Sequence, residues 1–483
     1  MSIRVLVCGL LVVYFSLYAW RNYFVSLCAA VVLMAFMQHP DVIDNLKNIG
    51  GIQGLNPFNI LIANVFLAWL AKRRAQGFIW DMPRRTQNLL IGYFIVVSVS
   101  VFRLLIDPAP GWQESKAWMI SEYFVNCVKW VLPCLIAYDV CRTRRRVVIM
   151  LICIMSLYLL LALQVIKHMP LSYAMADNFE HTAYKMVQES VGYNRVTLSM
   201  MLGGASWAMI AILPMAATKW RKMAVLAGAA AISFGQALTG GRSGYAGWLV
   251  VGIILCLARW RRMLLVIPVV VVAIGALLPG VRERAFQGIA WGSDNPTAQN
   301  SAYEMTSGRN IAWPYVIAKI KDGPIFGFGR EAMTRTGIYQ QILIDTGNDE
   351  VFPHPHNAYL EILLDCGLVG FLVVVPFYVG TLRSCFRLFL SRDDPFREAV
   401  GGVACALILA LLVAAMGGET FYPREGSVGM WASIGIALRV WADWRNGAGT
   451  SLQQQETEGR STEELLQEEE PVANTLGMRT VAA

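Results

Sequence analysis

Charge is scarce in this chain. Only 15% of its 483 residues are Asp, Glu, Lys or Arg, whereas 56% are hydrophobic. Soluble globular domains carry roughly 25% charged residues, so an ordinary soluble domain is excluded. The ten cysteines make no CxxC pair and fall in or at the ends of apolar runs. That argues against a disulfide frame or a zinc site, and they read as small apolar residues. Histidine is rarer, with five residues. The glycines around Arg242 lack the GK[ST] ending of a nucleotide phosphate loop. No small-residue cleavage site separates the first two apolar runs, so no cleavable signal peptide is expected.

Apolar runs of roughly 16–22 residues fill most of the chain, long enough to cross a hydrocarbon core as helices. The reading is an all-α polytopic integral membrane protein of about 12 transmembrane helices, with one long outer loop containing short helices. The net charge of +8 does not indicate nucleic acid, because the basic residues form short clusters between runs. Five such clusters (72–85, 142–146, 219–222, 259–262 and 383–397) hold 19 Lys or Arg. The 78-residue segment 280–357 holds seven basic and eight acidic residues. The positive-inside rule puts the clusters in the cytoplasm and the loop outside. All five histidines then lie on the outer side. Two crossings by residues 3–38 would make 13 in total; 12, with 3–38 partly re-entrant, is preferred. Three regions follow: a helical scaffold at 1–234, a core at 235–445 that includes the loop, and a polar, acidic tail at 446–483. The tail is expected to be disordered and cytoplasmic.

Residues that could carry chemistry gather on the outer side. Arg242 lies in a glycine-rich turn, Thr239–Gly244, where backbone N–H groups can converge on an anion. An arginine there marks function or snorkels to headgroups. Arg309 projects from the first turn of a short helix, with Thr306 or Ser307 as cap, and as an isolated arginine would simply be solvated. Arg195, in Tyr193-Asn194-Arg195, is a further basic candidate or a helix-end anchor. His356 sits where the next helix re-enters, suited by pKa to proton transfer. Asn357, Glu361 and Asp365 follow at intervals of four, striping one helical face. His354 and His356 form an H-x-H pair without a third ligand nearby in sequence, so no metal is expected. Pro355 should turn their two side chains in different directions. Glu419 and Arg424 can pair across the last outer turn.

These motifs, taken in order, resemble the O-antigen ligase and polymerase superfamily. They are Leu238-Thr239-Gly240-Gly241-Arg242-Ser243-Gly244, Ser307-Gly308-Arg309 with Trp313, Pro324-Ile325-Phe326-Gly327-Phe328-Gly329, and His356-Asn357-Ala358-Tyr359-Leu360-Glu361 with Gly367-Leu368-Val369-Gly370. The resemblance covers residues 235–375. It implies a GT-C-like membrane fold in the bacterial inner membrane, with its active site facing the periplasm. It implies an inverting, metal-independent glycosyltransferase that needs no cofactor. The donor would be an undecaprenyl-diphosphate-linked glycan, and the acceptor a glycan or lipid A-core. Arg242 and Arg309 would hold the diphosphate and His356 would serve the acceptor hydroxyl, making these three the catalytic set. Arg195, Asn357, Glu361 and His354 are the candidates for substrate binding. The polar insert 331–353 could shape acceptor choice. Ligase and polymerase both fit this pattern. Two other classes compete: a small-anion transporter, which should show broken or polar helices near mid-membrane, and a structural component of a polysaccharide export complex.

The loop assignment has a direct test. A cysteine replacing Ser301 should react with an impermeant maleimide in cells whose outer membrane alone is permeabilised. Labelling only after inner-membrane lysis would refute the orientation.

Overall fold

The computed structural model describes residues 2–49, 54–75, 77, 79–109, 111–175, 179–286, 308–347 and 352–447. The expected caps Thr306 and Ser307, the loop centre near Ser301 and nearly all of the acidic tail lie outside these residues. Within them the fold is entirely helical. Six helices are long and apolar enough to cross a membrane, and up to eight if each of two bent pairs is one span. Ile3–Ala19 and Arg242–Ala258 are apolar but shorter. Pro57–Ala75 and Lys219–Leu238 carry their basic clusters inside a helical end.

The helix ends sort into two layers. One holds the basic clusters, and there carboxylates neutralise them. Asp139 is fully buried and takes Arg73 Nε and Arg142 Nη2, each at 2.9 Å. Arg439 Nη1 reaches Asp81 Oδ1 at 2.8 Å, and Arg259 Nε reaches Glu398 Oε1 at 2.6 Å. The other layer holds the described parts of the long loop. Residues 3–37 run between the two. Ile3–Ala19 and Tyr23–Met37 are antiparallel helices. Arg4 Nη1 donates to His39 Nε2 (2.5 Å) at one end, and Lys72 Nζ donates to the Arg21 carbonyl at the other. Residues 3–37 thus form two helices, the second of which makes, with Pro40–Leu46, one of the two bent pairs. Asn22 caps the second helix by accepting from Val25 N (3.3 Å), so the chain turns within three residues. The bend comes later, where Pro40–Leu46 leaves at 104°.

Close approach of small residues builds the centre, the usual means of helix association in lipid. Pro395–Ala414 packs on Arg195–Ala211 where a Cβ on Gly204 would meet Ala410 Cβ at 2.6 Å. Val428–Arg445 packs on Asn126–Val140 where a Cβ on Gly435 would meet Cys134 O at 2.3 Å.

The long helix Ala358–Phe389 is broken at Gly367, with φ +64° and ψ −164°. A break within hydrocarbon strands backbone N–H and C=O groups, at several kcal/mol each unless paired. Here the segment Pro324–Gly329 pairs them. Phe328 N donates to Leu364 O (2.8 Å) and Gly329 N to Asp365 O (2.7 Å). Leu368 N donates to Pro324 O (2.8 Å) and Val369 N to Ile325 O (3.1 Å). Two sequence motifs more than thirty residues apart are thus the two halves of one joint.

Gly367→Ala should break that joint. Its Cβ would meet Ile325 C and O at 2.4 Å, in a backbone region open only to glycine. The strained backbone alone costs on the order of 1–3 kcal/mol, before the overlap is counted. Gly380→Ala in the same helix meets nothing within 4 Å. It should be neutral or stabilising by up to about 1 kcal/mol. Thermal unfolding in detergent should separate the two, and equal melting temperatures would refute the account.

Candidate functional site

The site is built from three local structures in the loop layer. The first is the start of Arg242–Ala258. Gly240 has φ +71° and Gly241 is the N-cap. The turn lies against Arg195–Ala211 so closely that a Cβ on Gly244 would meet Ser199 Oγ at 2.0 Å. Ser199 Oγ donates to Gly241 O (3.0 Å). Arg242 is therefore the first residue of the helix, fixed beside Arg195, whose guanidinium lies 5.5 Å from the Tyr184 ring centroid. The buried Arg284 donates from Nε to Gly240 O (3.4 Å).

The second is the helix Arg309–Asp322, with Gly308 as N-cap at φ +74°. Arg309 thus opens its helix, as expected. Ala312 and Val316 form a small core with Ala332, Met333, Ile338, Ile342 and Leu364. The described part of the insert 331–353, helices Ala332–Arg335 and Ile338–Thr346, supplies four of these residues. Arg309 Nη2 donates to Gly417 O (3.1 Å), while Arg309 Nε is buried without a partner among the described residues. A Cβ on Gly417 would meet Ser243 Oγ at 2.9 Å and Arg309 Nη2 at 3.3 Å. The two helix starts, 67 residues apart in sequence, therefore meet over Gly417. Burial and the Arg242 charge both lower the proton affinity of Arg309.

The third is the histidine segment. Asn357 caps Ala358–Phe389, its Oδ1 accepting from Tyr359 N (3.0 Å) and Leu360 N (3.2 Å). Trp313 Nε1 donates to Pro355 O (2.9 Å), tying the segment to the Arg309 helix. His356 has φ +49°, a strained value for a non-glycine residue. The expectation that Pro355 separates the two rings is overturned. His354 and His356 meet edge to face with centroids 4.1 Å apart, and Phe352 packs on His356 at 4.4 Å. The left-handed backbone at His356 folds its ring back onto its neighbour. His356 Nε2 is buried without a partner among the described residues. Burial first, then His354 and Arg309, take its pKa down to about 3. Gly308, Arg309, Phe352, His354 and His356 line one small cleft of about 10 Å³.

Beneath the cleft lies a charge cage that sequence reasoning missed. Arg330 is 3% exposed, and Glu361 is its closest partner. Its Nη1 lies 3.2 Å from Asp365 Oδ2, and its Nη2 lies 3.3 Å from Glu331 Oε1 and 3.8 Å from Glu419 Oε2. Tyr422 covers the guanidinium at 3.8 Å and donates to Asp365 Oδ2 (2.9 Å). Glu419 also pairs with Arg424 (2.5 Å) and lies 2.8 Å from His354 Nδ1. Burial would raise the Glu419 carboxyl, but His354, Arg424 and Arg330 hold it below its usual range. The one available signal was Arg330 directly after the Gly-Phe-Gly run, with Glu361 and Asp365 striped one turn apart.

The structure thus brings together Arg242, Arg309, His354 and His356, with Arg195 at the adjoining turn. It does not bring Asn357 or Glu361 to the cleft. Asn357 is a helix cap, and Glu361 faces Arg330 at 3% exposure.

The architecture defines a multi-pass helical membrane protein whose candidate site is a cationic cleft at one layer. Residues 226–375 match the family model for O-antigen ligase. That segment contains Arg242, Arg309, the broken-helix joint and both histidines. The match supports the O-antigen ligase and polymerase superfamily and a membrane enzyme of that type. No curated protein matches the chain.

Arg330→Ala should destabilise the protein by about 3–5 kcal/mol, because Glu361 and Asp365 are left buried and uncompensated. Adding Asp365→Asn should recover part of the loss in chemical or thermal unfolding. No recovery would mean that Arg330 acts through packing alone.

Proposed function

We propose that this protein is an inverting membrane glycosyltransferase of the O-antigen ligase or polymerase type. It transfers an undecaprenyl-diphosphate-linked glycan to a sugar hydroxyl on a glycan or lipid A-core acceptor, at the periplasmic face of the bacterial inner membrane. One observation carries the reading. Two arginines remote in sequence converge, one of them beside a buried imidazole, and neither Arg309 Nε nor His356 Nε2 has a partner among the described residues. Like charges held together in a partly dry site favour an anion bridging them.

The chemistry needs no metal. His356 Nε2 accepts the proton of the acceptor hydroxyl. The oxygen attacks the anomeric carbon from the face opposite the diphosphate. The bond from that carbon to the diphosphate oxygen breaks, and the configuration inverts. Charge grows on the departing lipid diphosphate, where Arg242 and Arg309 stabilise it by charge-assisted hydrogen bonds. His354, backed by Glu419, sets the ring of His356. Arg195 borders the same site and is assigned to the glycan or its diphosphate. A broken helix is also what a transporter would carry. Here, however, the break is filled by the chain's own loop backbone rather than lining a path.

Arg242→Lys should fail nearly as badly as Arg242→Ala, because lysine lacks the bidentate fork. Loss of one such contact should cost on the order of 2–4 kcal/mol in transition-state stabilisation. Full transfer by Arg242→Ala membranes supplied with lipid-linked donor would refute the assignment.

His356→Ala should lose roughly 10²–10⁴-fold in rate with donor binding retained. His354→Ala should lose less, yet measurably, since its ring supports His356. Both enzymes, and the wild type, should be indifferent to EDTA. The pH profile adds a sign. With a pKa near 3, His356 is already neutral above about pH 4, so its Nε2 lone pair is open to a hydrogen bond from the acceptor hydroxyl. So kcat/KM should show no acid limb near the ordinary histidine value of about 6.5. Such a limb, present in wild type and absent in His356→Ala, would overturn the depressed value. EDTA inhibition reversed by zinc would favour a metal site instead.

A further inference from the structure

A second cavity lies in the basic layer, remote from the cleft. It measures about 390 Å³ and is lined by Ile210, Leu213, Leu226, Trp260 and Met263, with Lys222 as its one charged residue. Two short 3₁₀ turns, Leu213–Met215 and Arg261–Leu265, border it. Each turn interrupts the regular packing of helices, and the gap between them stays unfilled. The surroundings are apolar and exposed: Trp220 is 78% accessible, Leu265 76% and Leu226 50%. An exposed tryptophan beside a lysine cluster is the usual mark of a bilayer interface.

Some charges of the basic layer are neutralised within the protein and others are not. Arg73, Arg142, Arg259 and Arg439 are each held by a carboxylate. Lys219, Arg221, Lys222, Arg261 and Arg262 form no ion pair among the described residues. They flank an apolar hole on two sides, from the start of Lys219–Leu238 and from the turn Arg261–Leu265. A ligand that satisfies both features carries a hydrocarbon chain and an anionic headgroup.

We infer that this cavity is a binding site for an anionic glycerophospholipid of the leaflet on the basic side. One acyl chain fills the space beside Trp260 and Leu226, and the phosphate lies among Lys222, Arg261 and Arg262. The site is separate from the transfer reaction and does not depend on that reading. It bridges the start of Lys219–Leu238 and the turns Leu213–Met215 and Arg261–Leu265.

The test is native mass spectrometry of the full chain, purified in detergent and offered equal amounts of dioleoyl phosphatidylglycerol and dioleoyl phosphatidylcholine. Each basic residue near a headgroup is worth about fivefold in affinity. Wild type should therefore retain phosphatidylglycerol over phosphatidylcholine by about fivefold or more. Lys222→Glu should bring the ratio close to one. Leu226→Trp, which fills the cavity from an exposed position, should reduce binding of both lipids. Arg74→Glu, the same charge reversal at an exposed residue elsewhere in the layer, should leave the preference intact. Equal retention of the two lipids by wild type would overturn the proposal. So would loss of the preference in Arg74→Glu as large as in Lys222→Glu, or undiminished binding in Leu226→Trp.

Discussion

The structure depends on a backbone pairing. Ala358–Phe389 cannot be a continuous helix, because Gly367 takes a conformation that interrupts its hydrogen bonds. In hydrocarbon, those freed groups must find partners within the protein. Pro324–Gly329 provides them, and in doing so the loop is pinned to a fixed height on the bundle. Arg103 Nη1 secures it from the other side, donating to Gly327 O (2.7 Å) and Phe326 O (2.9 Å). Arg335 Nη1 donates to Phe328 O (2.7 Å).

The chemistry inherits its geometry from that joint. The loop ends in Arg330, which it delivers between Glu361 and Asp365. Arg330 in turn helps hold Glu419, Glu419 holds His354, and His354 carries the ring of His356. Each step replaces a flexible side chain with one whose position is set by a charged neighbour. That is the support a transfer site needs if an acceptor hydroxyl and a leaving diphosphate are to be aligned within fractions of an ångström.

Charge is handled differently in the two layers. In the basic layer, Asp139, Asp81 and Glu398 neutralise arginines at helix ends and clamp the bundle. In the cleft, Arg309 has no carboxylate partner among the described residues and feels the charge of Arg242 instead. A like-charged pair is unfavourable by itself, and an anionic ligand would relieve it. His356 stays neutral for the same reasons, burial and positive neighbours. Several arginines of the basic layer are thus paired with carboxylates, whereas in the cleft Arg309 is left to be met by substrate.

Much of this is legible in the residues alone. Apolar run length and scarce charge determined a helical membrane protein, because the energy of placing a charge in hydrocarbon overrides local preference. The basic clusters sorted the helix ends, since arginines gather on one side. Glycine at 241, 244, 327 and 367 marked places where backbone comes close to backbone, and the spacing of Glu361 and Asp365 put them on one face. What the sequence could not contain was partnership across distance. The meeting of Arg309 with the Arg242 turn over Gly417, the docking of Pro324–Gly329 into the break at Gly367, and the contact of Glu419 with His354 all join segments far apart in the chain. The edge-to-face contact of His354 with His356 depended on a left-handed backbone at His356 that proline statistics do not foretell. Periodicity reports which face of a helix is apolar, while the identity of the neighbour is decided only when the helices pack.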